Sequence, residues 1–108
     1  MHNTGAVVAQ EAHHIDERTA ERVAELFSAL SDPNRVRIIA ALLDSELNVG
    51  EIAECVGMSS SAVSHQMRML RQIRIVSSSK RGREVYYALD DEHVAELFSR
   101  GLDHVKHG

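Results

Sequence analysis

A mainly helical chain carrying one small β-hairpin is what this sequence predicts, and three observations lead there. Aromatic residues make up 4% of the 108 residues and Trp is absent. A core must therefore come from Leu, Ile, Val, Ala and Met, which suit packed helices better than a sheet sandwich. Apolar residues recur at three- and four-residue intervals early in the chain and again at its end. Between these stretches the pattern changes to two short runs of strand character, "RIVSSS" and "EVYYAL", separated by "KRGR".

Residues 1–15 are small and polar with little periodicity, and are expected to form a flexible arm before one domain over 16–108. "DERTAERVAELFSALSD" places Ala20, Val23, Leu26, Phe27 and Leu30 on one helical stripe, with Asp16 as N-cap and Glu17 in the first turn. "SDPNRVRIIAALLDS" begins a second helix. Asp32 is its N-cap and Pro33 its first residue, where the missing N–H costs nothing. Val36, Ile39, Leu42 and Leu43 form its stripe, and both stripes are expected in the core.

"NVGEIAECVGMSSSAVSHQMRMLRQIR" is the informative middle. A short helix over roughly 49–56 stops at Gly57, which tolerates a left-handed conformation. Ser59 or Ser60 then caps a second helix reaching about Gln72, with Val63, Met67 and Leu70 inward. Two helices joined by a tight Gly-containing turn make a helix-turn-helix. The hairpin follows, with a cationic turn centred on Gly82 and a loop longer than the commonest two-residue form. A last helix runs over roughly residues 91–106. The order helix, helix, helix-turn-helix, hairpin, helix is a winged helix-turn-helix.

The formal net charge of −4 argues against a polyanion partner until its distribution is read. From Cys55 to Arg83 there is no Asp or Glu, while Arg68, Arg71, Arg74, Lys80, Arg81 and Arg83 give +6 and leave −10 for the rest. A charge run is often only a solvated face. Here it coincides with a helix-turn-helix and a wing, which makes it an electrostatic footprint for double-stranded DNA. Ser60, Ser61, Ser64, His65, Gln66 and Arg68 carry groups that can meet bases or phosphates, and Gln66 can pair with adenine through two bonds. Lys80, Arg81 and Arg83 suit phosphates or the minor groove.

The longest apolar run, "IIAALL", is too short to span a membrane, and no Lys or Arg precedes Arg18, so no secretory signal is expected. Cys55 is the single cysteine, which rules out an intrachain disulfide and fits a cytoplasmic protein. It falls on the apolar side of its short helix and is expected in the core.

"ELNVGEIAECVGMSSSAVSHQMRMLR" followed by "GREVYYALDDEHV" resembles the ArsR/SmtB family of metal-responsive repressors, over about residues 17–107. "SAVSHQ", the GR-x-x-Y-Y wing and the D-x-H…H-x-x-H end carry the likeness together. The resemblance implies a homodimeric repressor that binds an imperfectly palindromic operator and releases it when metal binds. Relatives that sense thiophilic metals have Cys in "ELCVG"; here that position is Asn48, so that thiolate site is not expected.

Asp91, His93, His104 and His107 are the candidate metal ligands. His93 and His104 lie eleven residues apart, about 16 Å along a helix, so one ion cannot reach both in one chain. Yet at about 100° per residue all three histidines project from one face. Two such helices, antiparallel across a two-fold axis, bring Asp91 and His93 of one chain to His104 and His107 of the other, twice per dimer. The resemblance implies the same inter-subunit site. It also implies that His104 reaches a backbone carbonyl near Arg74, coupling the site to the reading helix.

One carboxylate and three imidazoles suit tetrahedral Zn(II). Ni(II) or Co(II) is the alternative; these ions often want more ligands, which His2, His13 and His14 could supply. A DNA-binding module without metal control is a further reading. An enzyme is not expected: four protein ligands would close a metal to chemistry, and neither a substrate pocket nor a nucleophile for a small organic substrate is evident.

Overall fold

The computed structural model describes residues 12–108, so most of the expected arm, including His2, lies outside the described residues. Helix α1 spans Glu17–Ala29 and α2 spans Pro33–Ala41. A two-residue strand β1 (Leu47–Asn48) leads into α3 (Val49–Val56), then α4 (Ser60–Gln72). Strands β2 (Val76–Arg81) and β3 (Glu84–Leu89) precede the last helix, α5 (Glu92–His107). This is a winged helix-turn-helix. Among the described residues no helix is long and apolar enough to cross a membrane.

Each helix starts where a short polar side chain can take an orphan N–H. Asp16 accepts from Thr19 N at 2.8 Å, Asp32 from Arg35 N at 3.1 Å and Asp91 from Val94 N at 3.0 Å. Asn48 goes further. Its Oδ1 accepts from Glu51 N at 2.8 Å, and Glu51 Oε1 accepts from Asn48 N at 3.0 Å, a reciprocal capping box. A cysteine there would leave that box half made.

The helix ends are equally explicit. Gly57, at φ 71°, and Met58 both donate to Ala53 O, at 2.9 and 3.1 Å, which ends α3 and turns the chain into α4. After α4, Ile75 N donates to Leu70 O at 2.9 Å and Arg74 N to Arg71 O at 3.1 Å. That is a Schellman stop, and its flanking apolar residues, Leu70 and Ile75, are both fully buried in the core. Its left-handed residue is Arg74, at φ 61°, where glycine is usual.

The sheet order is β1-β3-β2, all antiparallel. The hairpin register pairs Arg81 with Glu84, so the loop is Gly82-Arg83 alone. This corrects the expectation of a longer loop. Gly82, at φ 62°, opens a two-residue turn, so Lys80 and Arg81 remain paired in β2 instead of joining the loop.

The core is centred on α2, α3, α4 and the start of β2: Ile38, Ile39, Ile52, Val63, Met67, Leu70 and Ile75 are fully buried. From α1 only Ala29 is buried, with Leu26 and Leu30 against it; from α5 only Phe98. Val23 is 42% and Phe27 54% exposed. The expected burial of the whole α1 stripe is therefore corrected: the helix touches the domain by its C-terminal end, and its middle faces outward. Cys55 is also exposed. The buried arc of α3 is centred between Ile52, Ala53 and Val56, and Cys55 lies about 110° round the helix from that centre.

Candidate nucleic-acid interface and metal centre

Helix α4 is held from behind and open in front. Val63, Met67 and Leu70 are fully buried, fixing which arc turns outward. Ser59 is the cap, its Oγ accepting from Ala62 N at 3.1 Å, so Ser60 and Ser61 occupy the first turn and are exposed. His65 and Arg68 are exposed on the same outward arc as Ser61, with half-buried Ser64 at its edge. Gln66 lies about 100° further round than His65, toward the core. It is half-buried, and its Oε1 is buried with no hydrogen-bond partner among the described residues. To read a base it must rotate outward.

The wing separates its three cations. Register and alternation put Lys80 on the face of the sheet that carries Leu89 and Tyr87 against the core, and Arg81 on the opposite face; Arg83 sits in the turn. Among the described residues Lys80 and Arg83 make no ion pair. Arg81 pairs with Glu46 and lies 4.9 Å from the centre of the Tyr86 ring. Neither partner is legible in the sequence: the order β1-β3-β2 brings Glu46 beside Arg81, and the hairpin register brings Tyr86.

The candidate metal ligands fall at opposite ends of α5. Asp91 is the N-cap: its Oδ1 is used by Val94 N–H, and its Oδ2 lies 3.7 Å from His93 Nδ1. The Val94 N–H holds the Asp91 carboxyl below the usual carboxylate range, with the charge of His93 adding to it. Two ligands on one tetrahedral zinc, each about 2.0–2.1 Å from it, are about 3.4 Å apart. The free oxygen and the imidazole are thus spaced to share an ion with little movement. At the other end, His104 and His107 line a shallow cavity of about 320 Å³ with Arg100, Asp103 and Gly108. Asp103 Oδ1 lies 3.8 Å from His107 Nε2, a neighbour the sequence spacing of i, i+4 could have flagged. Among the described residues no three His, Cys, Asp or Glu side chains of one chain gather into a metal-binding group. His13 and His14 lie in the irregular chain before α1.

Residues 32–78, the stretch from α2 into the wing, match the sequence profile described as "Bacterial regulatory protein, arsR family". NmtR, an HTH-type transcriptional regulator of Mycobacterium tuberculosis, is 40% identical over 93 residues, 86% of this chain and 78% of that protein. The chain belongs to the arsR family. As an arsR-family protein it is a DNA-binding transcription regulator. It is also similar to a transcriptional repressor SmtB homolog of Synechocystis sp., 47% identical over 87 residues, 81% of this chain and 66% of that one. Among solved structures, the homodimeric winged helix-turn-helix DNA-binding domain of a Mycobacterium bovis protein superimposes with a TM-score of 0.76 at 28% identity. The match covers 90% of this chain and 95% of that one.

Proposed function

We propose that this arsR-family regulator is a metal-sensing transcriptional repressor. Its metal-free homodimer binds a palindromic operator, and Zn(II) at two dimer-interface sites lowers its affinity for DNA. Each site takes Asp91 and His93 from one protomer, with His104 and His107 of the partner subunit. The observation that carries this is the 3.7 Å separation of Asp91 Oδ2 and His93 Nδ1 at one end of α5, with His104 and His107 together at the other. Two donors per end are half a zinc site, and an isologous pairing of antiparallel α5 helices doubles them. The uncovered apolar residues Val23, Phe27 and Val105 support a second copy as their cover. The homodimeric Mycobacterium bovis domain supports the same assembly.

On DNA, Ser60, Ser61, Ser64, His65 and Arg68 face the major groove, Gln66 joins them by rotating outward, and Lys80, Arg81 and Arg83 meet the backbone or minor groove. Operator and metal are linked reciprocally, each weakening the other by the same factor. The likeness to a protein named a transcriptional repressor supports repression as the output. Release then derepresses genes of metal efflux or homeostasis, in the cytoplasm where the chromosome lies. A metal-bound imidazole gives its other N–H to a neighbour. For His104 that neighbour is a backbone carbonyl near Arg74, at the Schellman stop of the recognition helix.

A Co(II) titration of the reduced protein, read by visible absorption and repeated with His104→Gln, tests the site. Intense d–d bands saturating at one ion per protomer, and lost in the variant, are expected. Weak bands point instead to more ligands, drawn from His2, His13 and His14, and to a Ni(II) or Co(II) sensor. No saturable binding removes metal control and leaves a winged-helix DNA binder.

A further inference from the structure

Arg81 closes β2 beside the wing tip, yet its charge is already engaged. Its guanidinium crosses the sheet. Arg81 is on the outer strand β2, Tyr86 on the middle strand β3, and Glu46 immediately precedes β1 on the far side. The pairings Ser79↔Tyr86 and Asn48↔Tyr86, with strict alternation, put Arg81, Tyr86 and Glu46 on one face, away from the core. The Arg81 guanidinium lies over the Tyr86 ring and pairs with Glu46 Oε1. Glu84, directly opposite Arg81 in the ladder, is not its ion-pair partner. Both Arg81 and Glu46 side chains are about half exposed, at 55% and 44%, so the pair is within reach of a passing polyanion.

We propose that Glu46 is a specificity-determining residue: it competes with DNA phosphate for Arg81 and holds the wing in a partly neutralised state. This rests on the reading of the wing as a DNA-contacting element. Lys80, Arg81 and Arg83 would offer three charges, and the carboxylate cancels one of them. Sequence-independent binding is almost wholly phosphate neutralisation with release of counterions, so it loses most from that cancellation. On an operator, base contacts by α4 dock the wing against the backbone. Arg81 then exchanges one carboxylate for one phosphate. A surface ion pair is weak enough to be exchanged, and the guanidinium fork fits phosphate oxygens with two parallel hydrogen bonds. Tyr86 supports the flat face of the guanidinium in either state. Glu46 thus sets a threshold that loose, non-specific encounters do not cross.

The test uses the full chain and a random-sequence duplex of about 30 base pairs, nearly three helical turns. Affinity is measured across a KCl series for wild type, E46Q, R81Q and the double variant. E46Q should bind this duplex more tightly. The slope of log K against log salt should steepen by about 0.9, which is about 3-fold more affinity lost between about 50 and 200 mM KCl than for wild type. The gain should shrink or vanish when Arg81 is already Gln. Far-UV circular dichroism and a thermal melt confirm that each variant folds. An unchanged E46Q slope, weaker binding by E46Q, or an equal gain in the R81Q background overturns the competition. Wild-type protein with no salt-dependent binding overturns the DNA reading of the wing together with it.

Discussion

The reading half of the molecule, α2 to β3, supplies almost the whole buried core; α1 and α5 contribute one buried residue each, Ala29 and Phe98. In the first region α2, α3 and α4 share one buried core, and the stops of α3 and α4 are each closed by two backbone hydrogen bonds. In the second, Val23, Phe27 and Val105 are uncovered and the candidate metal ligands sit as two separated pairs. The helix-turn-helix is therefore a pre-formed tool, whereas α1 and α5 are shaped as half of something. A regulator built this way can keep its reading surface rigid and change only how two copies are held together.

Three measurements sharpen or break that contrast, taken from the largest effect down. Leu70→Ala removes a fully buried side chain that also flanks the stop of α4, and should cost about 2–5 kcal/mol of stability. The loss, followed by urea unfolding, should be similar at every protein concentration. A cost below about 1 kcal/mol would mean that the reading half is not the rigid part. Phe27→Asp places a charge on the uncovered stripe of α1. It should leave the fold of one chain intact but raise the dimer dissociation constant about 10- to 100-fold, equivalent to about 1.4–2.8 kcal/mol, in sedimentation equilibrium. A variant that dimerises as tightly as wild type would remove α1 from the interface.

The smallest effect is a pH dependence at the start of α1. Hydrogen bonds from Thr19, side chain first and then backbone N–H, hold the Asp16 carboxyl below its usual value. A depressed folded-state pKa means that the cap's contribution is fully present above the unfolded value of about 3.9. It is lost as pH falls through the lower folded value. The helical circular dichroism of wild type should therefore decline more below about pH 4 than that of Asp16→Asn, whose cap does not titrate. Equal acid profiles would show that α1 is held by something other than its own cap.

Much of the molecule was legible because its signals are local. Asp16, Asp32 and Ser59 cap helices where short polar side chains precede an apolar period, and Gly57 stops α3 because few other residues adopt positive φ without strain. Val63, Met67 and Leu70 point inward as their spacing requires. The tight turn is not legible in "KRGR", because the stretch is polar throughout and composition does not say where strand pairing stops; the positive φ of Gly82 and the pairing of Arg81 with Glu84 decide it. The exposure of Cys55 is not legible either, because α3 is short and mostly apolar, and the direction of its buried face is set by what α2 and α4 press against it.

By itself the sequence determined the helices, most of their caps, the helix-turn-helix with its excess of positive charge, and three histidines on one face of the last helix. These depend on spacing along the chain and on side-chain chemistry a few residues apart. Only the tertiary structure decided that the middle of α1 is left uncovered, that Gln66 is folded inward, and that Arg81 is held by Glu46 across a three-stranded sheet. Each depends on groups far apart in the chain meeting in space. That meeting is governed by which faces find a partner in the core, a property of the packed whole that no local pattern carries.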